Sequence, residues 1–467
     1  SRGEISMPVG SLEEILPWLC FLPPLAGSLI AYPSGRLSRR LPAIVGVASS
    51  ALSTVASFLL VGFLVEGRYY EIRIPWASLP GWELVFCLLV DPLSILMAVI
   101  VSFVGLNIMV YSTAYMRGEP GQERFWSLMC LFLGSMSLFS LAGDLITLLV
   151  GWKLIGLCSY ALIGHYHTDE PEHWVGGPEP EPRYPPSHCA LKAWLTTGLG
   201  DVLTLSGVFI LFAYSGTFEL RALYATAGAW LPALARTPGL LAATSFLLLG
   251  GPLSKSAQIP FHEWLPEAMA GPTPVSALIH AATMVKAGVF MAVRLAPVFY
   301  VGYHVLGLQE ATVFFLLLAS LGSLTALLAA AQACVASELK KVLAYSTMSQ
   351  LGYLMLGVGA MGLSEQPSLA LAATFYHLLA HAFFKAALFM VAGVVIHLAN
   401  SIYMEQMGHL KEEMPVSWAL TLLLAFSLIG VPPFPGFWGK DAIISAGVEA
   451  GLLIPAALLA TCRLLWG

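Results

Sequence analysis

Long apolar stretches recur along this chain of 467 residues, from Ile15 almost to its end. A helix of roughly 20 residues crosses the hydrocarbon core of a bilayer. Unpaired backbone polar groups are costly in lipid, so each stretch should be helical. The sequence therefore predicts an all-α polytopic membrane protein with about thirteen spans, at residues 14–32, 42–66, 90–116, 124–142, 145–166, 188–214, 239–259, 272–297, 305–333, 341–363, 368–398, 416–446 and 450–466.

Composition and cysteine spacing exclude several classes of function. Only 10% of the residues are charged and 58% are hydrophobic, whereas a soluble domain carries roughly 25% charged residues. This excludes a soluble enzyme, and the scattered basic residues offer no face to nucleic acid. The seven cysteines lie far apart, without the paired spacings of zinc or iron–sulfur sites. No phosphate-binding or haem-attachment motif occurs either, so we expect no metal and no cofactor on this chain.

The basic residues predict an orientation in the membrane. The loops after the first, third and ninth predicted spans lie on one side and carry Arg36, Arg39, Arg40, Arg117, Arg124, Lys340 and Lys341. That side should be cytoplasmic, and we expect the protein in a prokaryotic plasma membrane. Acidic Glu13 and Glu14 precede the first run where a signal peptide would be positive, so that run should remain as a span. An apolar run reaches almost to Gly467, which is compatible both with a complete polypeptide and with a trimmed one.

Proline and glycine interrupt the pattern in three places. The stretch 167–187 is rich in Pro and Glu and should be a solvated loop without helix or strand. Gly250-Gly251-Pro252, followed by Lys255 and Pro260, should break the seventh span. Pro432 to Gly436, followed by Lys440 and Asp441, should break the twelfth, because proline removes a donor and clashes with the preceding turn. Two broken helices five spans apart suggest two copies of a five-helix unit and an ion pathway between them.

Ionisable residues inside the predicted spans are candidates for function, because a charge at mid-bilayer costs at least about 2.5–3.5 kcal/mol. They are Lys153, Asp201, Lys255, His280, Lys286, His377, His381, Lys385, Lys440 and Asp441. Lys341 begins the tenth span and could mark the mouth of a pathway. Simpler interpretations also exist: Lys255 could extend to the interface, Thr196 or Thr197 could donate to Asp201, and Asp441 could neutralise Lys440.

The most informative group is His377, His381 and Lys385, spaced four apart. This spacing places them on one face of a helix over about 12 Å. Imidazole titrates near neutral pH, and a lysine stripped of water can also lose its proton, so the group could pass protons. The alternatives are that the histidines only bridge neighbouring helices, or that they hold zinc. Zinc is disfavoured because no third ligand has suitable spacing.

Several motifs resemble the antiporter-like membrane subunits of respiratory complex I, most closely subunit L or chain 5. The resemblance rests on Asp91 to Ser94, Gly151-Trp152, Gly156 to Tyr160, Lys255 to Gln258, Pro272 to Val285, Leu343 to Gln350, and His377 to Lys385. It covers nearly the whole chain in order.

The resemblance implies two inverted five-helix repeats, spans 4–8 and 9–13, each with a broken helix, and a hydrated line of charges at the midplane. Residues 1–120 would then hold the first three helices, 121–300 the first repeat and 301–467 the second. It also implies roles: Lys255 is the broken-helix lysine, His280 the next relay position, His377, His381 and Lys385 the central connection, Lys440 with Asp441 the exit pair, and Asp201 an acidic position. Large family members continue past the thirteenth span into further helices.

Two positions depart from the family pattern. Lys153 stands where the family has a glutamate that pairs with the broken-helix lysine, and Lys286 resembles the large subunit of multisubunit sodium/proton antiporters. Our hypothesis is a non-redox pump subunit of a complex-I-like translocase. It would move protons, or exchange them for Na+, beside other membrane subunits, and the electron carriers would reside on other chains. The alternatives are a subunit of a cation/proton antiporter or inorganic-carbon transporter, and a degenerate structural subunit.

Overall fold

Helices make up most of the computed structural model, which describes residues 12–79, 82–176 and 183–466. The chain divides into two compact units, one of residues 1–158 with 218–220, the other of residues 159–217 with 221–467. The first unit contains α1 Leu12–Ser34, α2 Leu41–Val65, β1 Tyr70–Leu79, β2 Trp82–Val90, α3 Pro92–Tyr115, α4 Gln122–Leu141 and most of α5 Leu145–Ile163.

The second unit holds the remaining helices and a small strand pair. They are β3 Val175–Gly176, β4 Arg183–Tyr184, α6 Pro186–Ser215, α7 Leu220–Ala225, α8 Ala227–Ala235, α9 Leu240–Lys255, α10 Trp264–Glu267, α11 Thr273–Ala281, α12 Met284–Tyr300, α13 Thr312–Val335, α14 Leu339–Leu363, α15 Pro367–Ala399, α16 Leu410–Glu413, α17 Pro415–Ile429, α18 Pro435–Glu449 and α19 Leu453–Trp466. Single turns of 3₁₀ or π helix at 171–173, 268–270, 301–305, 309–311 and 404–406 connect them.

The protein is a multi-pass membrane protein. Within the described residues, nine helices are long and apolar enough to cross a membrane, or ten if α8 and α9, bent by 111°, form one span. Three predicted spans lie outside this count: α14, the pair α17 and α18, and α19. α14 is long enough but carries polar residues in its middle, and the other three helices are short.

Between the predicted spans 42–66 and 90–116, β1 and β2 form an antiparallel hairpin that connects α2 to α3. Tyr70, Ile72 and Ile74 alternate with Glu71 and Arg73, a period of two that is typical of a strand. In the first unit, Leu88 and Val90 pack into a core with residues of α1, α2, α3 and α4. The hairpin therefore closes one end of that helix group.

The loop 167–187 also departs from expectation. A 3₁₀ turn at Pro171–His173 and the antiparallel pair of β3 and β4 lie within it. The Pro-rich stretch at 178–182 lies outside the described residues. The Glu338 carboxylate accepts a hydrogen bond from the Gly176 amide at 2.8 Å, and the Tyr403 hydroxyl donates to the Gly176 carbonyl at 2.9 Å. These contacts hold the strand pair against the start of α14.

The seventh predicted span is interrupted after Lys255 and before Pro260, and not at Pro252 itself, because α9 continues through Pro252 to Lys255. Proline cannot donate to the carbonyl one turn earlier, Leu248. The Thr204 hydroxyl of α6 donates to that carbonyl at 3.0 Å and accepts from the Gly251 amide at 2.7 Å. A side chain of another helix thus satisfies the groups that proline frees. The break at 432–436 is confirmed, since α17 ends at Ile429 and α18 begins at Pro435.

Asp144 stabilises the junction of the hairpin and α5. Its buried carboxylate accepts from the Cys87 amide at 2.9 Å and, as the cap of α5, from the Thr147 amide at 2.7 Å. Burial raises the pKa of this carboxyl, and the hydrogen bonds from Thr147 and Cys87 oppose that shift. One side chain therefore serves a strand and a helix start together.

We expect Asp144→Ala to lower the stability of the protein by about 2–3 kcal/mol, because it leaves two buried amides without partners. The measurement is the midpoint of thermal unfolding in detergent. Asp91→Ala is the matched control: the Asp91 carboxylate caps α3 by a bond to the Ser94 amide at 2.8 Å and is only half-buried. Equal shifts in the two variants would contradict the role given to Asp144.

Candidate functional site

Three ionisable side chains form a buried row on α15 in the second unit. His377, His381 and Lys385 are each 0% exposed. Their spacing of four places them on one face of the helix, and the His377 and His381 rings lie with their centroids 6.4 Å apart. The side chains that the sequence singled out most strongly thus point into the protein interior.

Helix α14 supplies the polar partners of this row. His377 Nε2 lies 3.0 Å from Gln350 Oε1, so the ring donates to the amide oxygen in this arrangement. The Lys385 amine donates to the Leu343 carbonyl at 3.0 Å and to the Ser346 hydroxyl. These neutral acceptors stabilise a protonated amine without a carboxylate, so the amine is not locked into an ion pair.

Lys440 lies at the break between α17 and α18. Its fully buried amine donates to the Leu428 carbonyl at 2.6 Å and the Ile429 carbonyl at 3.2 Å. These carbonyls end α17, and carbonyls at a helix end attract cations. The amine also lies 5.2 Å from the centroid of the Tyr353 ring. The proline-rich break therefore exposes backbone carbonyl oxygens, which accept hydrogen bonds from a buried lysine.

His280 and Lys286 flank an interruption between α11 and α12 that the sequence did not indicate. Both residues are fully buried. The His280 ring lies 4.8 Å from the ring of Phe389, one turn beyond Lys385 on α15. The Lys286 amine donates to the Ala281 carbonyl at the end of α11. Lys286 thus satisfies a helix end as Lys440 does.

Several ring and amide nitrogens in this interior lack a hydrogen-bond partner among the described residues. They are both nitrogens of His280, both nitrogens of His381, Nδ1 of His377 and Nε2 of Gln350. A buried polar atom without a partner costs about 1–3 kcal/mol, and buried polar groups in proteins are commonly satisfied by ordered water. The interior around α11, α14 and α15 therefore has the polar lining that water requires.

Lys255 and Asp201 lie on the packed helices α9 and α6. Lys255 is the last residue of α9 and is fully buried, and Asp201 is 6% exposed. The two helices approach closely beside Asp201, since a methyl group at Gly200 would meet the Ser254 hydroxyl at 2.1 Å. Both residues are therefore held in the helical interior of the second unit.

Other predicted site residues lie apart from the buried row. Asp441 follows Lys440 in sequence, but its side chain is 56% exposed and contacts the Arg463 guanidinium at 3.4 Å. Successive residues of a helix point about 100° apart, which separates this carboxylate from the Lys440 amine. Lys153 lies on an exposed side of α5 in the first unit. Lys341 forms an ion pair with Glu338 at 3.0 Å.

Sequence reasoning gave little weight to a charged group at the start of α6. The Lys192 amine contacts Glu267 at 2.7 Å and Glu263 at 3.2 Å. Reasoning from the residues also missed Ser346, Gln350 and Tyr353. A signal for these three was available, since polar residues spaced four and three apart in an apolar span mark one face of a helix.

Comparison with known proteins matches residues 142–464 to the family described as NADH:quinone oxidoreductase/Mrp antiporter, TM, and residues 76–126 to NADH-Ubiquinone oxidoreductase (complex I), chain 5 N-terminus. NADH-quinone oxidoreductase subunit L of Escherichia coli is 38% identical, over 94% of this chain and 66% of its own length. NAD(P)H-quinone oxidoreductase subunit 5 of the Chaetosphaeridium globosum chloroplast is 36% identical, over 88% and 58%.

A solved structure shares the fold. A chain of the Mrp complex from a Dietzia species superposes with a TM-score of 0.78 at 30% identity, over 96% of this chain and 45% of that chain. The chain described here spans about 58–66% of the length of these two curated relatives. Family matches over most of the sequence, together with the Mrp superposition, lead to one conclusion: the chain belongs to the family of antiporter-like membrane subunits that includes subunit L, or chain 5, of complex I.

Proposed function

We propose that this chain translocates protons as a membrane subunit of a complex-I-like respiratory oxidoreductase whose electron carriers reside on other subunits. The observation that carries the proposal is the buried row on α15, in which neither ring nitrogen of His381 has a hydrogen-bond partner in the part of the chain that the structure describes. Imidazole and amine groups accept and release protons. The test is the loss of proton uptake on removal of the Lys385 amine while electron transfer continues.

The proposed path runs from Lys255 through His280 to His381 and Lys385, and then to Lys440. His280 lies on α11 and Lys385 on α15, and these two helices pack against each other. The ring of Phe389, one turn after Lys385 on α15, contacts the His280 ring. His377 connects the row to α14 through Gln350. Water at the orphaned nitrogens would bridge the gaps, since a buried water accepts and donates two to four hydrogen bonds. Charge changes in neighbouring subunits would gate the transfer.

The remaining site residues would act at the margins of this path. Asp201 beside α9 would stabilise positive charge near Lys255, and Lys341 with Glu338 would lie at a mouth on the side predicted to be cytoplasmic. Asp441 would act with Arg463 rather than with Lys440. We also propose two five-helix repeats, at residues 121–300 and 301–467, after an N-terminal part at 1–120. Each repeat would contain one half-helix, which ends at Lys255 in the first and at Ile429 in the second.

Protons suit this interior better than sodium ions do. Sodium binds through oxygen ligands, whereas the row on α15 presents imidazoles and an amine, and a lysine ammonium has no acceptor atom. The second candidate is a subunit of a cation/proton antiporter, which the 30% identity to the Mrp chain and the buried Lys286 favour. Mass spectrometry of the purified assembly separates the two, because only the first would contain redox subunits. The membrane would be a prokaryotic plasma membrane, and the chloroplast relative makes a chloroplast membrane the alternative.

A substitution at Lys153 tests whether the chain is an active pump or a degenerate structural subunit. We expect Lys153→Glu to leave proton transport unchanged or lower, because the row on α15 is complete without a glutamate at 153. The measurement is proton uptake by membrane vesicles, with Lys411→Glu, an exposed position on α16, as the control for a change of charge. A gain of transport in Lys153→Glu would instead indicate that the chain had lost its activity.

A further inference from the structure

A cavity of about 1310 Å³ lies in the first unit, where the loops after α1 and α3 meet the starts of α2 and α4. These loops belong to the side that the arginines predict to be cytoplasmic. The relay residues on α15 belong to the second unit, so the cavity is a feature of its own. Its lining combines basic side chains, backbone amides and apolar side chains.

Four arginines line the cavity: Arg36, Arg39, Arg40 and Arg117. All four are exposed, and none of their guanidinium groups has a hydrogen bond or ion pair with another described residue. Two carboxylates, Glu119 and Glu123, also line it, so positive charge is in excess by two. Unpaired guanidinium groups that converge on one cavity favour an anion with several oxygens, since arginine binds phosphate in a bidentate manner.

The backbone adds to this preference. Helix α2 begins directly after Arg40, and α4 begins directly after Gly121, whose φ of +65° is a left-handed conformation that glycine adopts without strain. Gln122 and Glu123, the first two residues of α4, line the cavity, as do Pro42 and Ala43 near the start of α2. Pro42 has no amide hydrogen and the Leu41 amide donates to the Ser38 carbonyl, so α4 contributes more than α2. The amino end of a helix carries partial positive charge and unpaired amides, which attract anions. The start of α4 and four arginines therefore face one volume.

An apolar surface continues from the cavity along α2. Ile44, Val47 and Ala48 line the cavity itself. Ile44 is 59% exposed, and Val55 and Leu59, further along the helix, are 56% and 52% exposed. Spacings of four and seven place such residues on one side of a helix. A ligand with a charged head and apolar chains would bury both parts here, whereas a soluble anion would leave the apolar surface uncovered.

We infer that this cavity binds the phosphate of an anionic phospholipid, whose acyl chains lie along the exposed face of α2. Lipids with net negative charge are attracted to basic groups on the cytoplasmic side of a membrane. Headgroup hydroxyls, as in phosphatidylglycerol, can donate hydrogen bonds to Glu119 and Glu123. A zwitterionic choline headgroup would instead bring a further cation beside four guanidinium groups. The site therefore discriminates by headgroup charge.

The test titrates the delipidated 467-residue chain with phosphatidylglycerol and follows bound lipid by native mass spectrometry. We expect Arg39→Gln with Arg117→Gln to weaken binding about 30-fold, since each arginine near an anionic surface contributes roughly fivefold. Arg39→Lys with Arg117→Lys should bind more tightly than the glutamine pair but more weakly than the unaltered chain, because the charge is kept and the bidentate guanidinium geometry is lost. The matched control is Arg236→Gln with Lys411→Gln, which removes two exposed charges outside the cavity and should leave binding unchanged.

Two further arms separate the sources of phosphate. Phosphatidylcholine with the same acyl chains should bind at least about tenfold more weakly than phosphatidylglycerol, and millimolar inorganic phosphate should not compete with the lipid. If inorganic phosphate displaces the lipid completely, the cavity is a site for a soluble anion and the lipid inference is wrong. Equal affinities for the two lipids, or equal losses in the Arg39/Arg117 and Arg236/Lys411 pairs, would also overturn it.

Discussion

Lys385→Met is expected to reduce proton uptake coupled to electron transfer by about a hundredfold, the lower end of what a positioned acid–base group contributes. The Lys385 amine is fully buried and bonds to the Leu343 carbonyl and the Ser346 hydroxyl of α14. Methionine has nearly the same length and fills the same space, so packing is largely kept. What is lost is the one group at that point of the row that can carry a proton.

The measurement uses inverted membrane vesicles, in which proton uptake and electron transfer are followed in the same sample. Lys385→Arg separates charge from proton exchange, because arginine remains positive and does not release its proton, and it should also abolish uptake. Lys411→Met, in an exposed position, controls for expression and assembly. Normal uptake in Lys385→Met with normal electron transfer would refute the relay through α15.

Gly439→Ala is expected to disturb both stability and transport. A methyl group at this position of α18 would lie 2.7 Å from Nδ1 and 2.8 Å from Cβ of His377 on α15. The Cβ atom is fixed by its backbone, so the two helices would have to separate. Such overpacking costs about 1–3 kcal/mol. It would also shift His377 away from Gln350 and move Lys440, the next residue of α18, so we expect proton uptake to fall at least about tenfold.

Gly447→Ala, on the same helix, is the matched control. Its added methyl group would meet the end of the Leu356 side chain at 3.2 Å, and a flexible leucine can move by a few tenths of an ångström. We therefore expect a small change in the midpoint of thermal unfolding and normal uptake. If the two variants behave alike in both measurements, the close approach of α18 to His377 is not important for the site.

Some of this site was predictable because helical geometry is local. The spacing of His377, His381 and Lys385 alone indicated one face of one helix, and the structure shows all three buried together. The break before Lys440 was equally visible, because five residues that include three prolines cannot continue a helix. Such inferences need only the period of the helix and the chemistry of single residues.

Other features depended on contacts distant in sequence. Pro252 should have ended α9, but Thr204, which is 44 residues before Leu248, satisfies the backbone around it. The alternation at 70–77 is a strand signal, and its charged residues keep it from resembling an apolar span. Lys440 and Asp441 are adjacent in sequence, which suggests an ion pair. In the structure the Lys440 amine is buried against backbone carbonyls, and the Asp441 carboxylate contacts Arg463.

The sequence by itself determined that this is a helical membrane protein of the complex I antiporter-like family, because hydropathy, proline positions and extended motifs are properties of single segments. Tertiary structure alone decided which polar groups meet. It brought Ser346 and Gln350 to the row on α15, the end of α17 to Lys440, and four arginines of two loops to one cavity. The physical reason is that partners of buried polar groups are set by the packing of distant helices, which no local period encodes.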